Sequence, residues 1–482
     1  MQLPFSLQPL FDVLGAYVGG SANAFILVLA LVKIALILGG LLQVVPIIIL
    51  IERKVIAFIQ DRPGPNRAGP FGILHGFLDG VKLLFKEEIM PKGVDKVLFM
   101  MAPSLVVVPA FLALCLVPIG PIISGDHLNA LGHFFQLDPA MVSTTGIVSE
   151  IAMAITNPNV GILYVLAITS VGVYGVTLAG WSSNSKWSLL GGIRASAQMI
   201  SYEITLSLAI IGAILVSGHL NLYDIIETQK GGFWNWHIIA QPVAFLLFLI
   251  AMFAETNRVP FDLAEAEAEL TGGFHTEYSS MKFALFFLAE YVNMVVVSAM
   301  ISTLFLGGFY GPVQMDYLVP GGWEGVQTLT ASTLGETWGI VAAIGQYALG
   351  PMVIVPAKIS VFIFLFIFIR ATLPRFRYDQ LMDLGWKVML PIGLINLVIT
   401  ATVVGIDLAI RAGMPGKFDA NPNMLLASKV LLGGFTLTLF LFWDIFVFSR
   451  RRKAQLATDY VGLRPGMDST AAVASLRPKM AR

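Results

Sequence analysis

At 482 residues, with 56% hydrophobic and 12% charged side chains and a mean hydropathy of +0.80, the chain lies far from the soluble range of roughly 25% charged residues and is a polytopic membrane protein. A formal net charge of zero excludes the basic footprint of a nucleic-acid binder and any acidic tail. The single cysteine, Cys115, excludes intrachain disulfides, Fe–S ligation and cysteine metal sites, so any redox centre has to be carried by another chain.

Residues 1–21 form an expected external segment that lacks the basic n-region and cleavage site of a signal peptide. Nine stretches then approach the about 20 apolar residues that a span requires: 22–51, 97–119, 160–181, 195–217, 238–254, 283–309, 352–369, 388–406 and 424–448. Each is expected to be a helix, because lipid offers no partner to open backbone groups and the alternation of a barrel is absent. The predicted fold class is an all-α polytopic membrane protein. The stretch 338–356, with Pro351 inside, either lengthens the seventh span or forms a re-entrant piece. Lys and Arg gather at 52–96, 186–194, 258–282, 370–387 and beyond 450, whereas the other side carries only Lys230, Arg411 and Lys417. The positive-inside rule then places the N-terminus outside and the C-terminus, with a basic, mobile tail at 449–482, in the cytoplasm. The extra C-terminal span favours a bacterial plasma membrane.

Span one ends in Glu52, Arg53 and Lys54, followed by QDRPGPNRAGP at 60–70. Its prolines and glycines exclude a helix and imply a fixed loop that holds Asp61, Arg62 and Arg67. The positive-inside rule explains any one of these arginines, but a rigid frame serves to position something. In 71–86, Leu74, Phe77, Leu78, Val81 and Phe85 recur at helical spacing opposite Asp79, Lys82 and Lys86. This pattern predicts an amphipathic helix, lying in the interface or packed under a partner.

Glu203, beside Tyr202 in span four, and Glu290, beside Tyr291 in span six, stand at membrane depth. A charge there costs roughly 2.5 to 3.5 kcal/mol and points to function; the plainer alternative is a protonated carboxyl bonded between helices. By the same reasoning Lys358 in span seven requires a carboxylate partner, while Lys33 is expected to snorkel or to pack against other helices. The densest feature is ETNRVPFDLAEAEAEL, 255–270, which sets Glu255, Asp262, Glu265, Glu267, Glu269 and Arg258 against a span. Neighbouring carboxylates in a poorly hydrated setting cannot all ionise, so proton handling is the natural use of such a run. Arg258 and Asp262, like Glu265 and Glu269, stand four apart and share a face if helical, with Pro260 making the first turn irregular. The functional reading is a carboxylate relay from this loop into the membrane through Glu203 and Glu290. An acidic patch that docks a partner is the compatible alternative. The six histidines lie outside the spans, against haem ligation, and no dinucleotide or Walker fingerprint occurs.

The segments ERKVIAFIQDRPGPNRAGPFGILHGFLDGVKLLFKEE (52–88), RASAQMISYEI (194–204), AETNRVPFDLAEAEAELTGGFHTEY (254–278), FFLAEY (286–291) and IRATLPRFRYDQLMDLGWKVMLP (369–391) together resemble the membrane subunit 1 family of the proton-pumping NADH-quinone oxidoreductase, respiratory complex I, in order across 22–408. The resemblance implies an eight-helix core at 22–408, at the junction of the membrane and peripheral arms, that forms much of a quinone chamber. Carried over, Glu52, Arg53, Asp61, Arg62, Arg67, Arg258 and Phe261 would line or support the quinone path. Glu203, Glu255, Asp262, Glu265, Glu267, Glu269 and Glu290 would form the acidic route to the pumping subunits. Quinone, ubiquinone or menaquinone, would be the substrate, with no FMN, Fe–S cluster, haem or metal bound by this chain. The partners implied are the hydrophilic subunits that hold the quinone site and the last Fe–S cluster, and adjacent membrane-arm subunits. Two departures, the ninth span at 424–448 and a long loop between spans six and seven, bear on partner contacts. A membrane-bound hydrogenase or formate hydrogenlyase subunit shares the scaffold, but the QDRPGPNR loop and ETNRVPFDL favour the quinone-reactive family. A freestanding ion carrier would show an internal repeat, which is not evident here. A purely structural anchor would make no use of the membrane carboxylates.

Overall fold

The computed structural model describes residues 21–124, 150–262, 271–312, 350–413 and, in the C-terminal stretch, 429, 431–438 and 440. Glu265, Glu267 and Glu269, the expected external segment, most of the ninth span, the tail and the stretch 338–349 lie outside the described residues. Helices account for nearly all the regular structure: α1 (Ser21–Ile59), α2 (His75–Phe85), α3 (Lys96–Leu114), α4 (Gly161–Ser182), α5 (Lys186–Ser217), α6 (Leu222–Glu227), α7 (His237–Ala240), α8 (Pro242–Glu255), α9 (Ser280–Phe305), α10 (Gly350–Thr372), α11 (Tyr378–Asp383) and α12 (Leu390–Gly413). A π-turn, Leu384–Met389, joins α11 to α12, and one antiparallel pair, Ile123–Ser124 with Glu150–Ile151, is the sole ladder among the described residues. Seven of the helical runs are long and apolar enough to cross a membrane, and α8 is a shorter apolar helix of 14 residues. The chain is an all-α, multi-pass membrane protein.

Helices α1, α5 and α10 run past their predicted spans because hydropathy marks the lipid slab while backbone bonding continues past it, whereas α3 and α9 end short of theirs at Leu114 and Phe305 and α8 starts late at Pro242. Thus α5 starts at Lys186, and the last described run starts at Tyr378. Local signals set several ends. Asp95 Oδ1 accepts from the Val97 and Leu98 amides at 3.1 and 3.4 Å and starts α3. Gly218, left-handed at φ 75°, closes α5. Beneath α1, α2 presents the predicted apolar residues outward, with Phe85 88% exposed, a face suited to lipid or a partner.

The centre of the bundle is α9, 67% of whose span is buried, whereas α1 is 22% buried and faces outward. Without a hydrophobic drive between helices in lipid, small residues let backbones meet. A Cβ on Gly180 of α4 would lie 2.7 Å from the Ser188 carbonyl oxygen and 3.0 Å from Gly192 Cα of α5. A Cβ on Gly191 would lie 2.6 Å from Gly273 Cα and 2.7 Å from the Phe274 nitrogen. That second contact seats the short 3-10 turn Gly273–His275 against α5.

Among the described residues, Lys358 is met by backbone carbonyls in place of the expected carboxylate partner. Lys358 Nζ donates to the carbonyl oxygens of Leu306, Gly308 and Tyr310 at 2.6, 2.7 and 2.6 Å and lies 4.7 Å from the Trp236 ring centroid. The turn that follows α9 leaves these acceptors outside any helix, and they take up the three N–H donors of the ammonium without bringing a countercharge. Lys33 is packed rather than snorkelling, donating to Ala152 and Ala154 carbonyls at 2.6 and 3.4 Å. Nearby, His237 Nδ1 lies 2.9 Å from the Leu304 carbonyl, and burial, helped by the Lys429 charge, pushes its imidazole down to about 3. His237 is therefore neutral at physiological pH. The described residues of the C-terminal stretch pack on this side, where Gly433 meets the Ile239 carbonyl.

The backbone contact at Gly191 has no side chain that can yield. Gly191→Val is expected to displace the Gly273–His275 turn and to cost about 1 to 3 kcal/mol, read as a lower melting temperature of the solubilised chain.

Candidate functional site

The Glu255–Asp262 stretch is not helical beyond Glu255. Asn257 takes a left-handed φ of 51°, and Pro260, which lacks an amide hydrogen and restricts Val259, keeps the chain from resuming a helix. Arg258 and Asp262 therefore do not share a helical face as their spacing suggested. The turn is tied down from α5 by buried Gln198, whose Nε2 donates to the Ala254 and Phe261 carbonyls at 2.7 and 2.8 Å and to Asn257 Oδ1 at 3.2 Å. From the other side the Phe376 amide donates to the Pro260 carbonyl at 3.1 Å.

So held, Arg258 points into the bundle, 5% exposed. Its Nη1 donates to Glu52 Oε1 and Oε2 at 3.1 and 3.3 Å, its Nε pairs with Glu290, and its guanidinium carbon sits 4.3 Å from the Tyr291 ring centroid. Glu52, 4% exposed, also pairs with Arg370 and accepts from the Tyr291 hydroxyl at 2.7 Å. Two guanidiniums thus face two carboxylates across four elements: α1, the turn, α9 and α10. Burial alone would lower the proton affinity of Arg258, but Glu290, Tyr291 and Glu52 outweigh it and hold the group well above its ordinary range. Asp262, also buried, pairs with Arg375 Nη2 at 3.2 Å.

Beside this cluster lies a cavity of about 70 Å³, lined by Glu203, Glu255, Glu290, Thr169, Asn293 and His275 among others. A water needs about 10 to 15 Å³, so it accommodates several. Ser170 of α4 donates to Glu203. A smaller space of about 20 Å³, sufficient for one water, is lined by Asn257, Arg258, Asp262, Glu290 and Arg370. Glu290 and Asn257 belong to both linings, so the ion cluster and the acidic cavity adjoin.

The structure thus gathers Glu203, Glu255, Asp262 and Glu290 of the expected acidic route, while Glu265, Glu267 and Glu269 lie outside the described residues. The expected quinone set divides. Glu52 and Arg258 are in the buried cluster, and Phe261 is buried against Tyr202 and Phe376, with centroids 5.6 and 5.4 Å away. Asp61, Arg62 and Arg67 are exposed on the non-helical loop. Arg53 bonds Asp79 of α2 at 2.8 Å and contacts His75, away from Glu52's partners. Sequence reasoning missed Tyr291 as a ligand of Glu52, Ser170, Gln198 and His275, and took Arg370 and Arg375 only as orientation charges. The signal for Arg370 was its position at the end of an apolar span. Among the described residues no group of three or more His, Cys, Asp or Glu is arranged to hold a metal.

The chain matches the family described as NADH dehydrogenase over residues 32–401. Relatives named as H-type subunits of NADH-quinone oxidoreductase cover most of its length. To one of these, from Koribacter versatilis, it is 44% identical over 389 residues, covering 80% of this chain and 99% of that protein. To that of Leptospira biflexa it is 46% identical over 347 residues, covering 72% and 86%. To one from Geobacter sulfurreducens it is 46% identical over 356 residues, covering 74% and 89%. The family match ends before 424–448.

Removing one member of a buried ion cluster strands the others, at about 3 to 5 kcal/mol. Arg258→Met is expected to lower the melting temperature and the amount of folded chain in membranes. Adding Glu290→Gln, which removes one stranded charge, should recover part of that loss.

Proposed function

The chain belongs to the NADH dehydrogenase family and is a membrane subunit of an NADH-quinone oxidoreductase, and on that premise we propose that it forms the quinone chamber and the acidic coupling path where the two arms of the enzyme meet. The observation that carries this reading is the position of Glu290, which pairs with Arg258 in the ion cluster and lines the cavity of Glu203 and Glu255. A charge change near Glu52 is therefore felt one side chain away from the carboxylate cavity.

Quinone, ubiquinone or menaquinone, is the substrate. Its reduction takes up electrons from the Fe–S cluster of a neighbouring hydrophilic chain and protons from groups around the headgroup; no redox group in this chain takes part. Asp61, Arg62 and Arg67, exposed on their loop, form a rim for that neighbour to close, with Arg53 and Phe261 supporting it. Negative charge developing at the quinone competes with Glu52 for Arg258 and Arg370. Arg258 then holds Glu290 less firmly, and Glu290 exchanges protons with Glu203 and Glu255 through the cavity water. Asp262 joins this path through the one-water space, and Glu265, Glu267 and Glu269 extend it. The remaining membrane-arm subunits receive the change beyond Glu203. The distribution of Lys and Arg supports an external N-terminus and a cytoplasmic C-terminus, and the extra C-terminal span supports a bacterial plasma membrane.

Glu203→Gln keeps the side chain's size and its bond with Ser170 but cannot carry a proton as an acid. In the assembled enzyme it is expected to leave NADH oxidation by an artificial electron acceptor intact and to lower quinone-coupled proton pumping by about ten-fold or more. Pumping at the unmodified rate in reconstituted vesicles would overturn the coupling path.

A further inference from the structure

We propose that His275 is the proton inlet of the acidic cavity, its imidazole relaying protons from an open groove on the lysine-bearing face of the bundle to Glu203, Glu255 and Glu290. The proposal rests on the reading of that cavity as a proton path.

The groove, about 450 Å³ and lined by Lys86, Thr271, Thr276, Tyr278 and Ser279 among others, lies behind the wall of the cavity. Two residues line both spaces, His275 and Phe283. One is a phenyl ring that carries no proton; the other is the side chain whose ordinary titration range is near neutrality. The half-buried imidazole is gripped edge-on by Phe274 and Phe283, with ring centroids 5.0 and 5.4 Å away. Its backbone is equally fixed. Ser188 Oγ donates to the Phe274 carbonyl at 3.0 Å, Thr276 Oγ1 to the Gly273 carbonyl at 2.7 Å, and the Tyr278 amide to the His275 carbonyl at 3.0 Å. A ring held in the partition, rather than on a free loop, is what a relay between two water-filled spaces requires.

The step balances without electrons. One ring nitrogen accepts a proton from groove water, the other gives its proton to cavity water or a carboxylate, and the tautomer then resets. Among the described residues that line the two spaces, the charged and titratable groups are Glu203 from α5, Glu255 from α8 and Glu290 from α9 inside, and Lys86 after α2 and Tyr278 before α9 outside. Burial pushes the Tyr278 phenol up to about 12, so it stays protonated and does not compete. Neither Glu52 nor Arg258 lines the groove or the cavity, so protons entering here need not pass the quinone.

The test uses the assembled enzyme in proteoliposomes, carrying His275→Gln, His275→Ala or Lys86→Trp. The last fills the groove mouth and keeps the Lys86 carbonyl that accepts from Ser280 at 2.8 Å. Coupled turnover is expected to fall about ten-fold or more in both histidine variants. Imidazole added on the groove side should restore part of the His275→Ala loss, and Lys86→Trp should be slow without such rescue. Wild-type pumping by His275→Gln overturns the proposal, as does a slow His275→Ala variant that imidazole does not improve. If the histidine variants do not assemble, Lys86→Trp decides, and normal pumping by it overturns the inlet. Glu203→Gln separates the two levels: normal pumping there removes the proton path itself, whereas impairment there with normal His275→Gln removes the inlet alone.

Discussion

The fold depends most on one guanidinium. Arg258 reaches from a non-helical turn between two membrane helices and is bound by carboxylates on α1 and α9, while Arg370 of α10 shares Glu52. Each charge in isolation would be costly in this setting, and together they neutralise one another. The turn can be irregular because Gln198 and the Phe376 amide satisfy its backbone.

The same economy appears on the opposite side of the bundle, where Lys358 and Lys33 end on carbonyl oxygens of loops. There Lys358 closes the turn after α9 and Lys33 holds the loop after the strand Glu150–Ile151, and the carboxylates of the cavity come from α5, α8 and α9. The protein thus separates two uses of intramembrane charge. Among the described residues, these lysines end in fixed backbone cages, and glutamate faces space that water can enter.

Much of this was legible in the sequence where physics acts locally. Hydrophobic length gave seven of the nine expected spans, the fifth being the shorter α8 and the ninth lying mostly outside the described residues; Pro63, Pro65, Gly64 and Gly69 gave the non-helical loop, and the spacing of Leu74 to Phe85 gave α2. Glu203 and Glu290 stood out because a charge at depth is costly, and the structure brings both to one cavity with Glu255. The partners were not legible. Arg370 and Glu52 are 318 residues apart, and no local period relates them. Lys358 was misread because a loop carbonyl leaves no mark in a sequence. The spacing of Arg258 and Asp262 suggested a helical face, and the constraint of Pro260 on the backbone prevailed over it.

The brevity of α8 bears on energetics. Its 14 residues span about 21 Å at 1.5 Å per residue, against a hydrocarbon core of about 30 Å. The apolar α7 runs into it through Gln241, while the acidic cavity opens at its other end beside Glu255, Thr256 and Asn257, so water in that cavity makes the electrically insulating layer thinner there than in the lipid beside it. Membrane voltage falls where the medium is dry, and its drop is therefore steeper here. A proton standing at Glu203 or Glu255 after passing through hydrated space has covered distance without crossing the corresponding share of the voltage. Most of the about 2.3 kcal/mol per 100 mV for a full crossing is left to steps farther along the membrane arm.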